Sequence, residues 1–309
     1  MTDIGIVIVT YNSAAEIGAC LEAAIPSGAE IVVVDNASTD GTAAEIARRG
    51  VRLIANSTNR GFAAAVNQGF AALNCPYILL LNPDTALETG LGALRDACDL
   101  PHAAGAGGTL IGRDGRPQIG FMVRQLPTPA ALILEALLLN RVWPNNPVNR
   151  RYRALDLIYD STIVVGQPAG AFLMIRRDVW RELKGFDEGF MPLWFEDVDF
   201  CRRAVDGNYL WYFVPSAVAK HTGGHSIPRL TVELRRFYWY RSLLRYSARH
   251  FGPIALRSIC LAVISGCVLR TLAEAFSQFS LRPIAANREI LRLAGRCLLT
   301  GWREQARLA

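Results

Sequence analysis

Two phosphate-binding signatures are missing from this sequence. No G-x-G-x-x-G follows the first apolar run, so a dinucleotide fingerprint is lacking. No G-x-x-x-x-G-K-[ST] occurs either, which removes a P-loop; a nucleotide would have to be held in another way. Cysteine is present but scattered, at 20, 75, 98, 201, 260, 267 and 297, with no C-x-x-C. An odd number without metal or redox spacing implies reduced thiols in a cytosolic compartment. Met1-Thr2-Asp3 lacks a basic n-region and runs straight into apolar residues, so no signal peptide is expected. Long apolar runs are scarce too. Ser258–Leu269 is apolar for 12 residues between Arg257 and Arg270. A bilayer needs about 20, so this segment is not expected to cross one.

What remains is a globular composition. The chain has 309 residues, 51% hydrophobic and 19% charged, which suits one large domain with an appendage. The net charge of +6 is unevenly spread: residues 231–309 carry 13 Lys/Arg against 4 Asp/Glu, leaving the rest slightly acidic. A near-neutral body with a basic tail suggests that the tail meets an anionic surface.

The chain is organised around Ile78-Leu79-Leu80-Leu81-Asn82-Pro83-Asp84. Its apolar half is too short for a globular helix and is bounded by Pro76 and Pro83, so it reads as a buried strand. Pro83 cannot donate to a ladder and biases Asn82 toward an extended conformation, so the strand ends there. Asp84 then sits just past the carboxyl end of a buried strand, where open α/β sheets place ligands. Taken alone, this is an ordinary Asn/Pro/Asp turn. Two other strands end alike. Ile4–Thr10 leads into Tyr11-Asn12-Ser13, with Ser13 placed to cap a helix over 14–24. Glu30–Val34 ends in Asp35-Asn36, followed by capping residues Ser38, Thr39 and Asp40 before a helix near 42–49. Val51–Ala55 is a third strand, and Asn59-Arg60-Gly61-Phe62 opens an Ala-rich helix carrying Asn67 and Gly69. This βαβαβαβ alternation argues for a mainly parallel sheet flanked by helices. If strand order makes the three polar ends neighbours, they line one crevice.

Further on, Gly112–Arg116 reads as a turn between short strands, and Pro129–Val142 as an apolar helical run. That run is either a lid or groove for a second substrate or a helix packed on the sheet. Val164–Ile175 reads as one apolar strand holding Gly170-Ala171, where a small residue permits close approach of a ligand. Glu196, Asp197 and Asp199 open a helix beside Trp194 and Phe195; acids in a first turn also simply complement the helix dipole. Tyr209–Val214 is a strand, followed by Lys220-His221-Thr222-Gly223-Gly224-His225-Ser226.

Together these motifs resemble the family 2 inverting glycosyltransferases of GT-A fold, and most of all their bacterial rhamnosyltransferase-like branch. The matching elements are Thr10-Tyr11-Asn12, Val34-Asp35-Asn36, Asn59-x-Gly61-Phe62 with Asn67 and Gly69, Asn82-Pro83-Asp84, Gly170-Ala171, Phe195-Glu196-Asp197-Val198-Asp199 and His221-x-x-Gly224. The resemblance implies a GT-A domain over 1–230, with a nucleotide-sugar part over about 1–110 and an acceptor part over about 111–230. The basic, helical tail over 231–309 then lies near a membrane. It further implies that Thr10, Tyr11, Asn12, Asp35, Asn36, Asn59, Gly61, Phe62, Asn67, Asn82, Asp84, Gly170 and Ala171 hold the donor, with Asp35 accepting from the pyrimidine ring N–H. Asp84 would ligate Mg2+ or Mn2+ on the donor diphosphate, with His221 or water completing the site, because the family's D-x-D has lost its first acid to Asn82. Asp197 would be the catalytic base, and Glu196 would orient the acceptor or a neighbouring backbone group. On a helix the three acids cannot share one direction, so Asp199 is expected to meet solvent or pair with Arg202 or Arg203. Gln167-Pro168-Ala169 departs from the aromatic and small polar residues found before the Gly-Ala pair in many relatives.

The resemblance implies transfer of a sugar, rhamnose from dTDP-rhamnose as first choice, to a lipid-linked or cell-envelope acceptor. Galactofuranosyl, mannosyl and N-acetylhexosaminyl donors are alternatives. So is a non-catalytic module of this fold that binds nucleotide or glycan. A nucleotide-sugar pyrophosphorylase would want a Gly-rich, basic loop after the first strand, and Thr10-Tyr11-Asn12-Ser13 offers none. No nucleic-acid partner is expected. In the tail, Phe237-Tyr238-Trp239-Tyr240-Arg241 is aromatic and basic, and Arg241, Arg245 and Arg249 recur on one helical face. They suggest peripheral attachment to the cytoplasmic face of the inner membrane, against the alternative of a helical hairpin packed on the catalytic domain.

Overall fold

The computed structural model describes residues 3–223, 231–278 and 282–302. Gly224, His225 and Ser226 of the polar segment after His221 lie outside the described residues. In chain order the elements are β1 (Ile4–Thr10), α1 (Ile17–Ala24), β2 (Glu30–Asp35), α2 (Thr42–Ala47), β3 (Arg52–Ala55), α3 (Phe62–Ala72), β4 (Tyr77–Leu81), β5 (Thr85–Thr89), α4 (Leu91–Ala97), β6 (Ala103–Ile111) and β7 (Val123–Arg124). Then follow α5 (Pro129–Ala136), α6 (Leu139–Val142), α7 (Pro147–Tyr152), β8 (Ile163–Val165), β9 (Gln167–Pro168), β10 (Phe172–Arg176), α8 (Arg177–Glu182), α9 (Glu196–Asp206) and β11 (Leu210–His221). Three long helices come last: α10 (Val232–His250), α11 (Pro253–Gln278) and α12 (Arg282–Thr300).

The chain divides into two compact units. The first comprises residues 1–126, 153–192 and 196–229; the second comprises 127–152, 193–195 and 230–309. The first unit is built on a sheet of order β3-β2-β1-β4-β10-β6-β11-β5, with β8 also pairing β11, and β7 and β9 form a separate two-stranded ribbon. The strands β1, β2 and β4 are apolar and buried on both faces, as a sheet covered by helices on each side requires. β1 pairs in parallel with β2 and β4, with Thr10 opposite Asp35 and Ile8 opposite Leu81. The three polar strand ends expected from the sequence therefore lie on adjacent strands.

The second half of the sheet departs from the parallel expectation. β10 runs antiparallel to both β4 and β6, and β11 runs antiparallel to β5 and β8, so the sheet as a whole is mixed. An apolar run such as Phe172–Arg176 is buried on both faces in either direction, so its composition carries no sign of its orientation. The Val164–Ile175 stretch is three short strands rather than one, and Gly170-Ala171 lies between strands, not inside one. Ser13 does not cap α1 either. Its carbonyl takes Ile17 N at 3.0 Å while its own N–H donates to Thr42 Oγ1 at 2.8 Å, tying α1 to α2.

The second unit is helical. The expected helix over Pro129–Val142 breaks after α5, where Leu138 adopts a left-handed backbone at φ 63°. α5 packs on α11. Ile259, Val263 and Cys267 of α11 and Ile290, Ala294 and Cys297 of α12 fill the interior. Arg236 of α10 holds Glu274 of α11 through both guanidinium Nη atoms, one at 3.0 Å. Two expectations for the tail change. Arg245 is buried, so Arg241, Arg245 and Arg249 do not form one exposed basic face. Apolar character also runs past Arg257 and Arg270: residues 253–276 hold an 18-residue window of mean hydropathy 1.8, long and apolar enough to cross a membrane by length and composition alone.

Candidate active site

The end of β4 forms the first cluster. Asn82 N donates to Ala171 O at 3.0 Å, which closes β4 against β10, and Thr85 N returns to Asn82 O at 3.1 Å. The turn ends in β5, whose Thr85 pairs with His221 of β11. Asp84 and His221, 137 positions apart in sequence, thereby come together: Nε2 of His221 lies 3.6 Å from Asp84 Oδ1. Gln118 sets the state of the ring. Its Nε2 donates to the His221 carbonyl at 3.1 Å, which leaves Oε1 as the acceptor facing His221 Nδ1 at 2.8 Å. Nδ1 therefore carries the ring hydrogen, and Nε2 turns an open lone pair toward the carboxylate. Phe121 stacks on the imidazole at 5.0 Å, with an interplanar angle of 5°. Burial pushes the His221 pKa down against the pull of the Asp84 charge, so the ring is neutral near pH 7.

Two electron-pair donors thus face each other, with only 7% and 12% of their side chains exposed. A divalent cation between them would turn that repulsion into ligation, and imidazole plus carboxylate is a donor set that suits one. No group of three or more His, Cys, Asp or Glu among the described residues could hold a metal by itself, so further oxygens would have to come from a ligand. Cys20 Sγ donates to Asn82 O at 3.5 Å, and burial, with Asp84 beside it, pushes its thiol pKa up, so it stays neutral.

The ends of β1 and β2 form a second cluster in which polar atoms are paired within the chain. Asp35 is buried; its Oδ1 accepts from Thr10 Oγ1 at 2.7 Å and from Ser38 Oγ, and its Oδ2 from Ser38 N at 3.0 Å. Oδ2 keeps a lone pair for a further donor. Asn36 is a hub. Its Nδ2 donates to Asn59 Oδ1 at 3.0 Å and Gly61 O at 3.1 Å, while its Oδ1 accepts from Asn56 Nδ2 and Arg60 N. These bonds shape the loop that enters α3, where Gly61 stands at φ 84°, a conformation side chains disfavour. Phe62 N then donates to Pro192 O at 2.8 Å. Asn12, itself left-handed at φ 52°, accepts Thr39 N at 2.8 Å through Oδ1. Asn67 exchanges bonds with Phe186 N and O, each at 3.0 Å. The carboxamides of Asn12, Asn36, Asn59 and Asn67 thus tie loops together, while the Tyr11 ring is exposed.

The third cluster surrounds the start of α9. Asp197 Oδ1 accepts from Val198 N at 2.8 Å, and Oδ2 from Gly170 N at 3.2 Å and Gln167 Nε2 at 3.5 Å. A Cβ on Gly170 would sit 3.0 Å from that same Oδ2, so glycine leaves the carboxylate its place. Burial raises the Asp197 pKa, offset in part by the two backbone N–H groups and by Arg124. Glu196 is 5% exposed, and its Oε2 has no hydrogen-bond partner among the described residues. Burial, then the Asp197 charge, pushes its pKa well above the usual value, which favours its neutral form. Of the two expectations for Asp199, solvent or an arginine partner, the structure shows the second. Asp199 is fully buried, and Arg203 Nε meets its Oδ2 at 2.8 Å, one helical turn on. Arg203 also donates to Leu183 O and Gly185 O, so this pair anchors α9 to the preceding loop. Sequence reasoning missed Gln118 and Ser38 as side-chain supports. Ser38 had been read as a helix cap, and Gln118 stands alone in a Gly/Pro-rich segment with no motif to mark it.

The family model described as Glycosyl transferase family 2 matches residues 5–184. An N-acetylglucosaminyl-diphospho-decaprenol L-rhamnosyltransferase of Mycobacterium tuberculosis is 32% identical over 290 residues, covering 84% of this chain and 92% of the relative. A rhamnosyltransferase of Escherichia coli is 26% identical over 188 residues, covering 60% of this chain and 67% of its own length. Among solved structures, a mannosyltransferase from Pyrobaculum calidifontis, in complex with GDP-Man and Mn2+, superposes with a TM-score of 0.53 at 16% identity, covering 97% of this chain and 88% of that one. This last likeness speaks to the fold, which is GT-A. With more than half its length matched by the family model, and with a relative alike over nearly its whole extent, the chain belongs to glycosyltransferase family 2.

Proposed function

We propose that this glycosyltransferase moves L-rhamnose from dTDP-rhamnose, with inversion, to an N-acetylglucosaminyl diphospholipid or a similar lipid-linked envelope glycan. The observation that supports the choice of donor and acceptor is the match to the mycobacterial rhamnosyltransferase over 84% of this chain. Residues 1–110 hold the donor in this reading and residues 111–230 the acceptor. Asp35 Oδ2 takes the pyrimidine N–H. Asp84 Oδ1 and His221 Nε2 hold Mg2+ or Mn2+, which when bound supplies positive charge for the leaving diphosphate. The lone-pair geometry set by Gln118 supports that assignment.

Asp197 is the base. Its Oδ2 already accepts two donors, whereas Oδ1 accepts one and keeps a lone pair. The acceptor oxygen attacks the anomeric carbon as the bond from that carbon to the diphosphate oxygen breaks. The bonding pair leaves with the diphosphate, and the hydroxyl proton passes to Asp197 Oδ1. A raised pKa suits a base that works near neutral pH.

The test is transfer by the purified chain from dTDP-rhamnose to an N-acetylglucosaminyl diphosphate carrying an alkyl chain, read by mass spectrometry with and without EDTA. GDP-mannose, UDP-galactofuranose and UDP-N-acetylglucosamine serve as competing donors. Product from dTDP-rhamnose alone, lost on chelation, is the expected outcome. Donor binding without turnover of any pair would favour the non-catalytic alternative.

The same reading places the second unit on the cytoplasmic face of the inner membrane, peripherally. α11 presents exposed Ile254, Leu261, Leu269, Leu272 and Phe276, while α5, α10 and α12 cover its other side, and the basic excess of the tail complements anionic lipid. Leu269→Glu with Leu272→Glu should cut binding to vesicles of phosphatidylglycerol at least about tenfold without lowering Tm. Unchanged pelleting would remove the assignment.

A further inference from the structure

Gln167 enters the reading above only as a donor to Asp197 Oδ2, yet it holds an unusual position. It is 6% exposed, on the two-residue strand β9, opposite Arg124 of β7 in an antiparallel ribbon. Its side-chain amide reaches the third cluster, where Nε2 donates to Asp197 Oδ2 at 3.5 Å. Its Oε1 is buried and has no hydrogen-bond partner among the described residues. Turning the amide over does not relieve this, because Oε1 would then face the carboxylate oxygen. Buried acceptors without a donor are rare in folded proteins, and one beside a catalytic carboxylate points to a donor that arrives with a ligand. A sugar supplies that donor. It carries neighbouring hydroxyls, so when one faces Asp197 another comes within reach of Gln167.

We propose that Gln167 is the specificity-determining residue for the acceptor: Oε1 accepts a hydrogen bond from the acceptor hydroxyl beside the attacked one, while Nε2 steadies Asp197. This rests on the reading of Asp197 as the base. It gives the departure from the family pattern at Gln167-Pro168-Ala169 a chemical meaning. A carboxamide here selects acceptors with a hydroxyl next to the nucleophile, and an apolar or aromatic side chain would not.

The test uses N-acetylglucosaminyl diphosphate with a short alkyl chain, and its monodeoxy forms at C3, C4 and C6, with saturating dTDP-rhamnose. Wild-type turnover of the parent compound examines the transfer reading; the pattern across analogues examines Gln167. The analogue lacking the nucleophile is inert. Of the others, one should lose about tenfold in kcat/KM, chiefly through KM. Gln167→Met should lower the parent by at least that factor, and removing the neighbouring hydroxyl should then cost this variant nothing further. Gln167→Glu keeps an acceptor oxygen and removes the donor to Asp197. It should keep the discrimination and move the acid limb of the pH–rate profile upward. Equal losses on every live acceptor in Gln167→Met, or a wild-type chain indifferent to both remaining hydroxyls, would overturn the proposal. Should the wild type bind the parent in calorimetry yet transfer nothing, only the transfer reading falls. The same comparison, read as Kd, still decides the role of Gln167.

Discussion

The polar residues around Asn36 and those around Asp197 sit in the same unit and are used in opposite ways. At Asn36 both ends of the carboxamide are matched: two acceptors for its nitrogen, two donors for its oxygen. Around Asp197 the matching is incomplete, with Gln167 Oε1 and Glu196 Oε2 both buried and unpartnered among the described residues. Fully paired polar groups fix a backbone; unpaired ones raise the energy of the free protein and lower it only when a ligand supplies the missing partner. In the proposed reading, the nucleotide end of the site is built before anything binds, and the acceptor end is left to be completed. The Asp84–His221 pair belongs with the second kind, since its two lone pairs face each other.

If that division is right, the largest losses come from the incomplete groups. Asp84→Ala should abolish transfer while Tm stays within a few degrees, because the side chain lies at a strand end and supports no core packing. Near-full turnover in this variant would break the metal assignment. Asp197→Asn keeps shape and removes basicity. It should lower kcat by about 10²–10⁴-fold with donor Kd unchanged, as measured by single-turnover kinetics and titration calorimetry. A loss below tenfold would take the role from Asp197. The acid limb of the wild-type pH–rate profile should lie above the ordinary Asp range, since the raised pKa means the base protonates at a higher pH as pH falls.

The paired side of the comparison predicts a different symptom. Asn36→Ala removes all four bonds of this carboxamide: Asn59 Oδ1 and Gly61 O keep Gly61 N and Ala65 N, Arg60 N loses its acceptor, and each lost hydrogen bond costs about 0.5–1.5 kcal/mol. Thermal melting should fall by several degrees and nucleotide affinity should weaken, while kcat at saturating donor holds. A variant with wild-type Tm and a collapsed kcat would mean that Asn36 touches the reacting groups directly.

How much of this was legible follows the same division. The strands β1, β2 and β4 could be read because apolar runs of strand length are bounded by Pro, Asn and Asp, and their polar ends announced the site. The pairing of Asp199 with Arg203 followed from helical spacing, but its complete burial did not, since spacing gives direction along a helix and not what covers it. Strand direction was illegible for β10, whose side chains are buried whichever way it runs. Gly170 read as room for a ligand; the structure gives its space to the Asp197 carboxylate, 27 residues away in sequence. Contacts of that range leave no local trace, and for the same reason Gln118 carried no signal.

The smallest expected effect is at Glu196, and it separates a buried acid from a working carboxylate. Burial and the neighbouring Asp197 charge raise its pKa well above the usual value, which favours the uncharged form in the folded chain. Glutamine imitates that neutral acid in size and polarity. Glu196→Gln should therefore change kcat/KM less than about threefold near pH 7, where Asp197→Asn is nearly dead. Its effect on stability has a definite sign. Unfolded Glu ionises near pH 4.3, whereas folded Glu196 keeps its proton to higher pH. Between the two values the native state binds more protons than the unfolded state, so wild-type stability falls as pH rises through that window. Glutamine has no proton to lose, so the variant should gain on the wild type with rising pH, the gap opening above about pH 4.3 and levelling off past the folded pKa. Urea melts of both proteins at pH 4, 6 and 8 measure it. A gap that shrank with pH would show that Glu196 is ionised and stabilised in the native state. The acceptor end would then hold two carboxylates, and the assignment of the base to Asp197 alone would have to be reopened.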